Sequence, residues 1–345
     1  MRLGIIGLAG SGKSTIFQAL TGSKPEERIH KGHSVVTVRV PDPRVDVLKR
    51  LFKPDKTVYA QLEYILPYGK KAYKSDQQGD ESLWNDVRPC DALVHVVRNF
   101  QQPGGEAPDP QADFLKLETD MIFADLVVVE RRIERLDLDK KRGKEISAEE
   151  HRLLEESLRM LEDQRPLRDN PELANAEPLK GYTLISAKPV LVVFNNDDED
   201  ETRPTWDGLS EPYEPVVVRG KLEMELAELS PEEAADFLTA YHIKSSAMER
   251  VIQHSCDVLG LITFFTVIHK EVHAWMIPKG TAALDAAGVI HSDMRKGFIR
   301  AEVLVYDQLM PAGTYQQAKK EGKIRLEGRN YPVQDGDIVT FRFNV

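Results

Sequence analysis

Gly7-Leu8-Ala9-Gly10-Ser11-Gly12-Lys13-Ser14-Thr15 carries the spacing G-x-x-x-x-G-K-[ST]. The apolar run Leu3 to Ile6 precedes it as a short strand, and Ile16-Phe17-Gln18-Ala19-Leu20 continues it as a helix. Glycines let successive backbone N–H groups turn inward around phosphate oxygens, and the helix N-terminus adds positive potential. In such a loop Lys13 reaches the β- and γ-phosphates, and the Ser14 hydroxyl ligates Mg²⁺. Gly10, Ser11, Gly12, Lys13, Ser14 and Thr15 are therefore the candidate nucleotide-binding residues, with Ser14 the candidate metal ligand.

A phosphate loop implies an α/β sheet, and the flanking sequence supplies its strands. Val35 to Val40 and Tyr59 to Leu66 alternate, whereas Ala92 to Val97 and Val190 to Phe194 are continuous apolar runs. Continuous runs suit central parallel strands covered on both faces. The last two end in Arg98-Asn99 and Asn195-Asn196, polar residues where strand ends of an α/β sheet meet ligands.

The 345 residues suit two or three domains. No apolar run is long enough to span a membrane, and the N-terminus reads directly into a strand, so a cytoplasmic protein is expected. Cys90 and Cys256 are too few and too far apart for a disulfide framework or a zinc site. The net charge of −10 argues against a uniformly basic nucleic-acid binder, and no DNA contact is expected. That total is an average: Thr263 onward carries 11 Lys+Arg against 9 Asp+Glu, or +2, leaving −12 for the first 262 residues.

Between the apolar runs lies a charged helical stretch. Ile122, Leu126, Val129, Ile133 and Leu136 recur at spacings of 4, 3, 4 and 3, and Leu154, Leu158 and Leu161 repeat the pattern after Gly143. Ser147-x-x-Glu150 reads as a capping box opening the second helix. The pattern predicts an inserted antiparallel coiled-coil hairpin stopped by Pro166, Pro171 and Pro178. Charges such as Glu130-Arg131-Arg132 and Glu134-Arg135 read as its solvated face, with a docking arm as the alternative.

Longer strings carry a resemblance. Val40-Pro41-Asp42-Pro43-Arg44, Leu51-Phe52-Lys53-Pro54, Cys90-Asp91-Ala92-Leu93-Val94-His95-Val96-Val97-Arg98 and Val129-Glu130-Arg131-Arg132-Ile133-Glu134-Arg135-Leu136 are four of them. The C-terminal ones are Lys270-Glu271-Val272-His273-Ala274-Trp275, Ala286-Ala287-Gly288-Val289-Ile290-His291, Gly297-Phe298-Ile299-Arg300-Ala301-Glu302-Val303, Gln334-Asp335-Gly336-Asp337 and Phe341-Arg342-Phe343-Asn344-Val345. Almost end to end, the chain resembles the YchF / Obg-like ATPase family of translation-factor P-loop proteins. The resemblance implies a GTPase-like P-loop domain interrupted by the helical hairpin, and a C-terminal β-grasp (TGS) domain associated with ribosome and RNA contact. It places boundaries at 1–110 and 181–262 for the P-loop domain, 111–180 for the hairpin and 263–345 for the C-terminal domain. It implies slow ATP hydrolysis with Mg²⁺, and it puts Asn195 and Asn196 where the base is read.

The sequence departs from that family at three places. The Asp-x-x-Gly expected at the end of the third strand is replaced by Leu62-Glu63-Tyr64-Ile65-Leu66-Pro67-Tyr68-Gly69, which has no aspartate, and Pro67 has no N–H to offer a phosphate. Glu63 is the remaining candidate carboxylate. The switch threonine is missing from Ile29-His30-Lys31-Gly32-His33, and Ser34 and Thr37 belong by pattern to the following strand. At the base, Asn195-Asn196-Asp197-Asp198 puts Asp198 where the family has glutamate, while Asn196 to Glu199 fits Asn-x-x-Glu with a one-residue shift. Both ATP and GTP therefore stand, and Arg219-Gly220-Lys221 occupies the place of the usual second base loop. Cys90 and His95 read as interior residues of a buried strand rather than as reactive groups. The expectation is a nucleotide-binding protein of weak or conditional ATPase activity, associated with the ribosome. A non-hydrolysing sensor and an RNA or protein adaptor are the alternatives.

Overall fold

The computed structural model describes residues 1–22, 29–30, 33–67, 81–209, 215–240, 246–268 and 270–344. Lys31, Gly32, Tyr68, Gly69 and Val345, all named above, lie outside them. Thirteen strands are described. They are β1 (Arg2–Ile6), β2 (Ile29–His30), β3 (His33–Arg39), β4 (Lys56–Val58), β5 (Gln61–Pro67), β6 (Ala92–Asn99), β7 (Val190–Asn196), β8 (Val216–Val218), β9 (Leu261–Ile268), β10 (Glu271–Pro278), β11 (Phe298–Val305), β12 (Arg325–Glu327) and β13 (Asp337–Phe343). The chain divides into two compact units, Met1–Val38 with Glu63–Ser255, and Arg39–Leu62 with Cys256–Val345.

The first unit is built on a seven-stranded sheet of order β2-β3-β5-β1-β6-β7-β8. Its centre is parallel: β1 pairs with β5 and β6, and β6 with β7. The continuous apolar runs are these central strands, and Leu93, Val94, Leu191, Val193 and Phe194 are buried. Ser34 and Thr37 do fall on β3. All parallel strand ends therefore face one edge of the sheet, where the phosphate loop leaves β1.

The inserted hairpin comprises helices Pro110–Lys141 and Ala148–Glu162. Ser147 caps the second helix, its hydroxyl accepting the Glu150 N–H. The predicted apolar positions pack into one core with Leu153, Met160, Leu167, Leu173 and Leu179. Arg132 pairs with Glu150 and Asp137 with His151 across the hairpin, while Glu130, Arg131, Glu134 and Arg135 are exposed. Asp125 roots the hairpin: its buried carboxylate accepts the N–H groups of Ile185 (2.9 Å) and Ser186 (2.6 Å) and faces Arg88 at 3.3 Å.

The second unit is a six-stranded sheet of order β12-β11-β13-β9-β10-β4. Hairpin β9–β10, helix Ala283–Ile290 over the sheet, and the parallel neighbours β9 and β13 make the β-grasp arrangement. Segment 39–62, which the sequence reading counts within 1–110, groups with this unit. The reasons are non-local: β4 pairs with β10, and Arg44 binds Asp335, whose carboxylate also accepts the Thr263 N–H.

Candidate functional site: the phosphate loop and its neighbours

The loop between β1 and helix Lys13–Thr21 has the backbone that its glycines permit. Gly10 and Gly12 have φ of 77° and 90°, a region that side chains disfavour. A Cβ on Gly12 would lie 2.0 Å from Asn195 Nδ2, and one on Gly10 would lie 2.6 Å from Gln102 Nε2. Both positions thus disfavour larger residues by conformation, and at Gly12 the hydrogen-bonded Asn195 carboxamide closes the space as well.

Lys13 folds back over the loop, its ammonium donating to the carbonyls of Gly7 (2.8 Å) and Leu8 (2.7 Å). An ammonium has three donors, so one remains for a ligand oxygen. Burial pushes the Lys13 pKa down to about 8, the response of a cation held away from water with no carboxylate beside it among the described residues. Ser11 is buried, and its hydroxyl has no hydrogen-bond partner. Ser14, in the first helical turn, is exposed. The N–H groups of Lys13, Ser14 and Thr15 have no acceptor within their own helix. An orphaned donor set, a lysine without a counter-ion among the described residues and an open hydroxyl together fit an anionic, Mg²⁺-bearing ligand.

Asn195, the penultimate residue of β7, ties this loop to the rest of the unit. Its Nδ2 donates to the Ser11 carbonyl (3.1 Å), and its Oδ1 accepts the Gly220 N–H (3.0 Å) at the start of helix Gly220–Glu228. Asn196 points elsewhere. Its Nδ2 donates to the carbonyls of Asp200 and Thr202 and its Oδ1 accepts from Asn99, so it shapes the turn after β7. Asp198 stands on that turn, 3.7 Å from the Lys221 ammonium.

Two contributors escape a motif-based reading. Gln102, after β6, donates to the Gly10 carbonyl at 3.0 Å, and Gln101 N–H donates to Asp197 at 3.1 Å. The only signal for them is their place just past the C-terminal end of a central strand.

Glu63 is not at the site. It is in register with Arg2 and binds its guanidinium, at the opposite end of β1 from the loop. Four strand residues, about 13 Å, separate them. The register brings Leu66, buried, and Pro67 to the edge where a magnesium-shell carboxylate would be needed. His33 faces Asp86 at 3.6 Å. His95 is buried, stacked on Phe114 with ring centroids 5.2 Å apart, and burial pushes its pKa down to about 3, so it stays neutral. Burial likewise pushes the Cys90 thiol up to about 11, an inert interior group.

Known proteins share this architecture. The family profile described as YchF-GTPase_C, protein of unknown function (DUF933), matches residues 261–344. The "Ribosome-binding ATPase YchF" of Bacillus subtilis (strain 168) is 36% identical over 362 residues, covering 99% of this chain and 99% of that protein. The chain belongs to the YchF family. A YchF of the same printed name from Haemophilus ducreyi is 37% identical, covering 100% of this chain and 99% of its own length. The solved structure of the Schizosaccharomyces pombe YchF GTPase superposes with a TM-score of 0.84 at 27% identity, covering 99% and 97% of the two chains. A GTP binding protein from Pyrococcus horikoshii OT3, at 17% identity and a TM-score of 0.58 over both whole chains, shares the fold. The YchF resemblance read from the motifs thus extends over the full length.

Proposed function

We propose that this YchF-family chain binds a purine nucleoside triphosphate, ATP or GTP, together with Mg²⁺, and hydrolyses it weakly or conditionally as a ribosome-associated regulator. The observation that carries the binding is the phosphate loop, with Lys13 half-buried, without a carboxylate beside it among the described residues and holding one donor in reserve. Gly10 to Thr15 would hold the phosphates, Ser14 would ligate the metal, and Asn195 keeps the loop in register with the base side. Mg²⁺ supplies neutralisation of phosphate charge when bound. Weak hydrolysis follows from Leu66, which has no carboxylate to order a metal-bound water, and Pro67, which has no N–H to donate to a γ-phosphate. Ribosome association rests on the relatives named for it, and the mildly basic C-terminal unit is the place to look for its RNA contact.

Calorimetric titration with ATP, GTP and their diphosphates, with and without Mg²⁺, tests the binding. No heat from any of them with folded protein overturns it. Single-turnover hydrolysis as fast as in P-loop enzymes with an intact strand-end aspartate overturns the weak-hydrolysis part. Co-sedimentation with ribosomal particles at moderate salt tests the association.

A further inference from the structure

One face of the C-terminal sheet gathers cations. In β11 and β13, Ala301, Val303, Val339 and Phe341 pack in one core with helix Ala283–Ile290. Alternation sends their neighbours Arg300, Glu302, Thr340 and Arg342 to the opposite face. There Arg300 stands in register with Arg342, and both are exposed. Like charges directly opposite each other on paired strands repel and cost stability.

Glu302 is the carboxylate beside them. Arg342 grips it through Nε and Nη2, both at 3.0 Å. That bond holds the Glu302 carboxyl below the usual carboxylate range, and Lys319, on helix Tyr315–Lys320, and Arg300 add their fields. Arg300, Lys319 and Arg342 against Glu302 leave an excess of two positive charges. A guanidinium has five N–H donors, of which Arg342 uses two on Glu302. Arg300 has no side-chain hydrogen bond or ion pair among the described residues. Leu326 of β12, 61% exposed and in register with Glu302, adds an apolar side chain to the same face.

We propose that the Arg300–Arg342 face of β11 and β13 is the surface on which this chain holds the sugar–phosphate backbone of RNA; the proposal rests on the ribosome-associated reading above and gives it a point of contact. Guanidinium groups bind phosphate oxygens bidentately, and two planar forks side by side suit neighbouring phosphates of one strand. Any stretch of RNA offers such neighbours, whereas an acidic protein segment would need carboxylates set at the matching spacing. A polyanion lying across both arginines also relieves their mutual repulsion, so the cost borne by the free chain returns as affinity. Leu326 gives a base edge or a ribose an apolar surface to lie against.

The test is fluorescence-anisotropy binding of a single-stranded RNA oligomer to the full chain across a salt series. Polyglutamate serves as the alternative polyanion, and the variants are Arg300→Gln and the double Arg300→Gln/Arg342→Gln. The double variant is expected to bind RNA about tenfold or more weakly at low salt, with a salt slope shallower by about 1.4, two phosphate contacts' worth. Arg300→Gln is expected to lose about half of that slope and to melt no lower than the native chain, because it relieves a repulsion. No RNA binding by the native chain at low salt, or the same salt slope in both variants, overturns the proposal. Arginine-dependent binding of polyglutamate without binding of RNA overturns it in favour of an acidic protein partner. Co-sedimentation with ribosomal particles separates the two failures. A double variant that sediments as fully as the native chain sinks this face alone, whereas a native chain that does not sediment sinks the ribosomal reading itself.

Discussion

Strands β1 and β5 lie side by side and parallel, yet their ends at the functional edge are equipped in opposite ways. β1 runs into a loop with a folded-back lysine, an orphaned serine hydroxyl and a helix start. β5 ends in a buried leucine and a proline. The difference teaches that holding a nucleotide and cleaving it are separate demands on the sequence. Binding needs donors converging on phosphate oxygens; cleavage needs in addition a carboxylate and an N–H from the neighbouring strand end.

The contrast can be broken at its strong side first. Lys13→Ala removes the half-buried ammonium of the loop and is expected to weaken nucleotide binding by about 100-fold or more in calorimetry. Retained affinity would mean that β1 is no better equipped than β5.

Asn195→Ala leaves the Ser11 carbonyl and the Gly220 N–H without their partner. At about 1–3 kcal/mol for each buried group, part of it lost from stability, affinity is expected to drop by about 30-fold. A thermal melt alongside the titration apportions the two effects.

Acidity sharpens the comparison further. Phosphates raise the Lys13 pKa on binding above its free value of about 8, so above that pH binding must take up a proton. Affinity is expected to hold level below pH 8 and to fall by about tenfold per unit as pH rises through and beyond it, until the pKa of the complex is reached. Titrations in buffers of different ionisation heat measure that uptake; a flat affinity up to about pH 9.5 would contradict it.

The smallest effect is expected from Glu63→Ala. It breaks a half-exposed ion pair with Arg2 and should change binding and turnover by less than about twofold. A large loss of turnover would give β5 a catalytic carboxylate after all.

These residues also show how far the sequence was legible. The phosphate loop and the hairpin could be read because each is written in neighbouring residues: glycine spacing for one, a 4-3-4-3 apolar rhythm capped by Ser147 for the other. Glu63 could not be placed, because alternation reveals a strand but not its register against β1. The allegiance of segment 39–62 depended on pairing with β10, more than 200 residues away. Asn195 stood out by type and position, whereas its bond to Ser11 joins residues 184 apart, and Gln102 had no motif at all.

The bonds from Lys13 and Asn195 to the phosphate loop are internal to the chain, so the loop has its shape before an encounter. Little ordering entropy is then lost at the moment of capture. Arrival should be governed by diffusion and orientation, and nucleotides should differ mainly in how long they stay. With the weak hydrolysis proposed above, residence time would then set the duration of the occupied state.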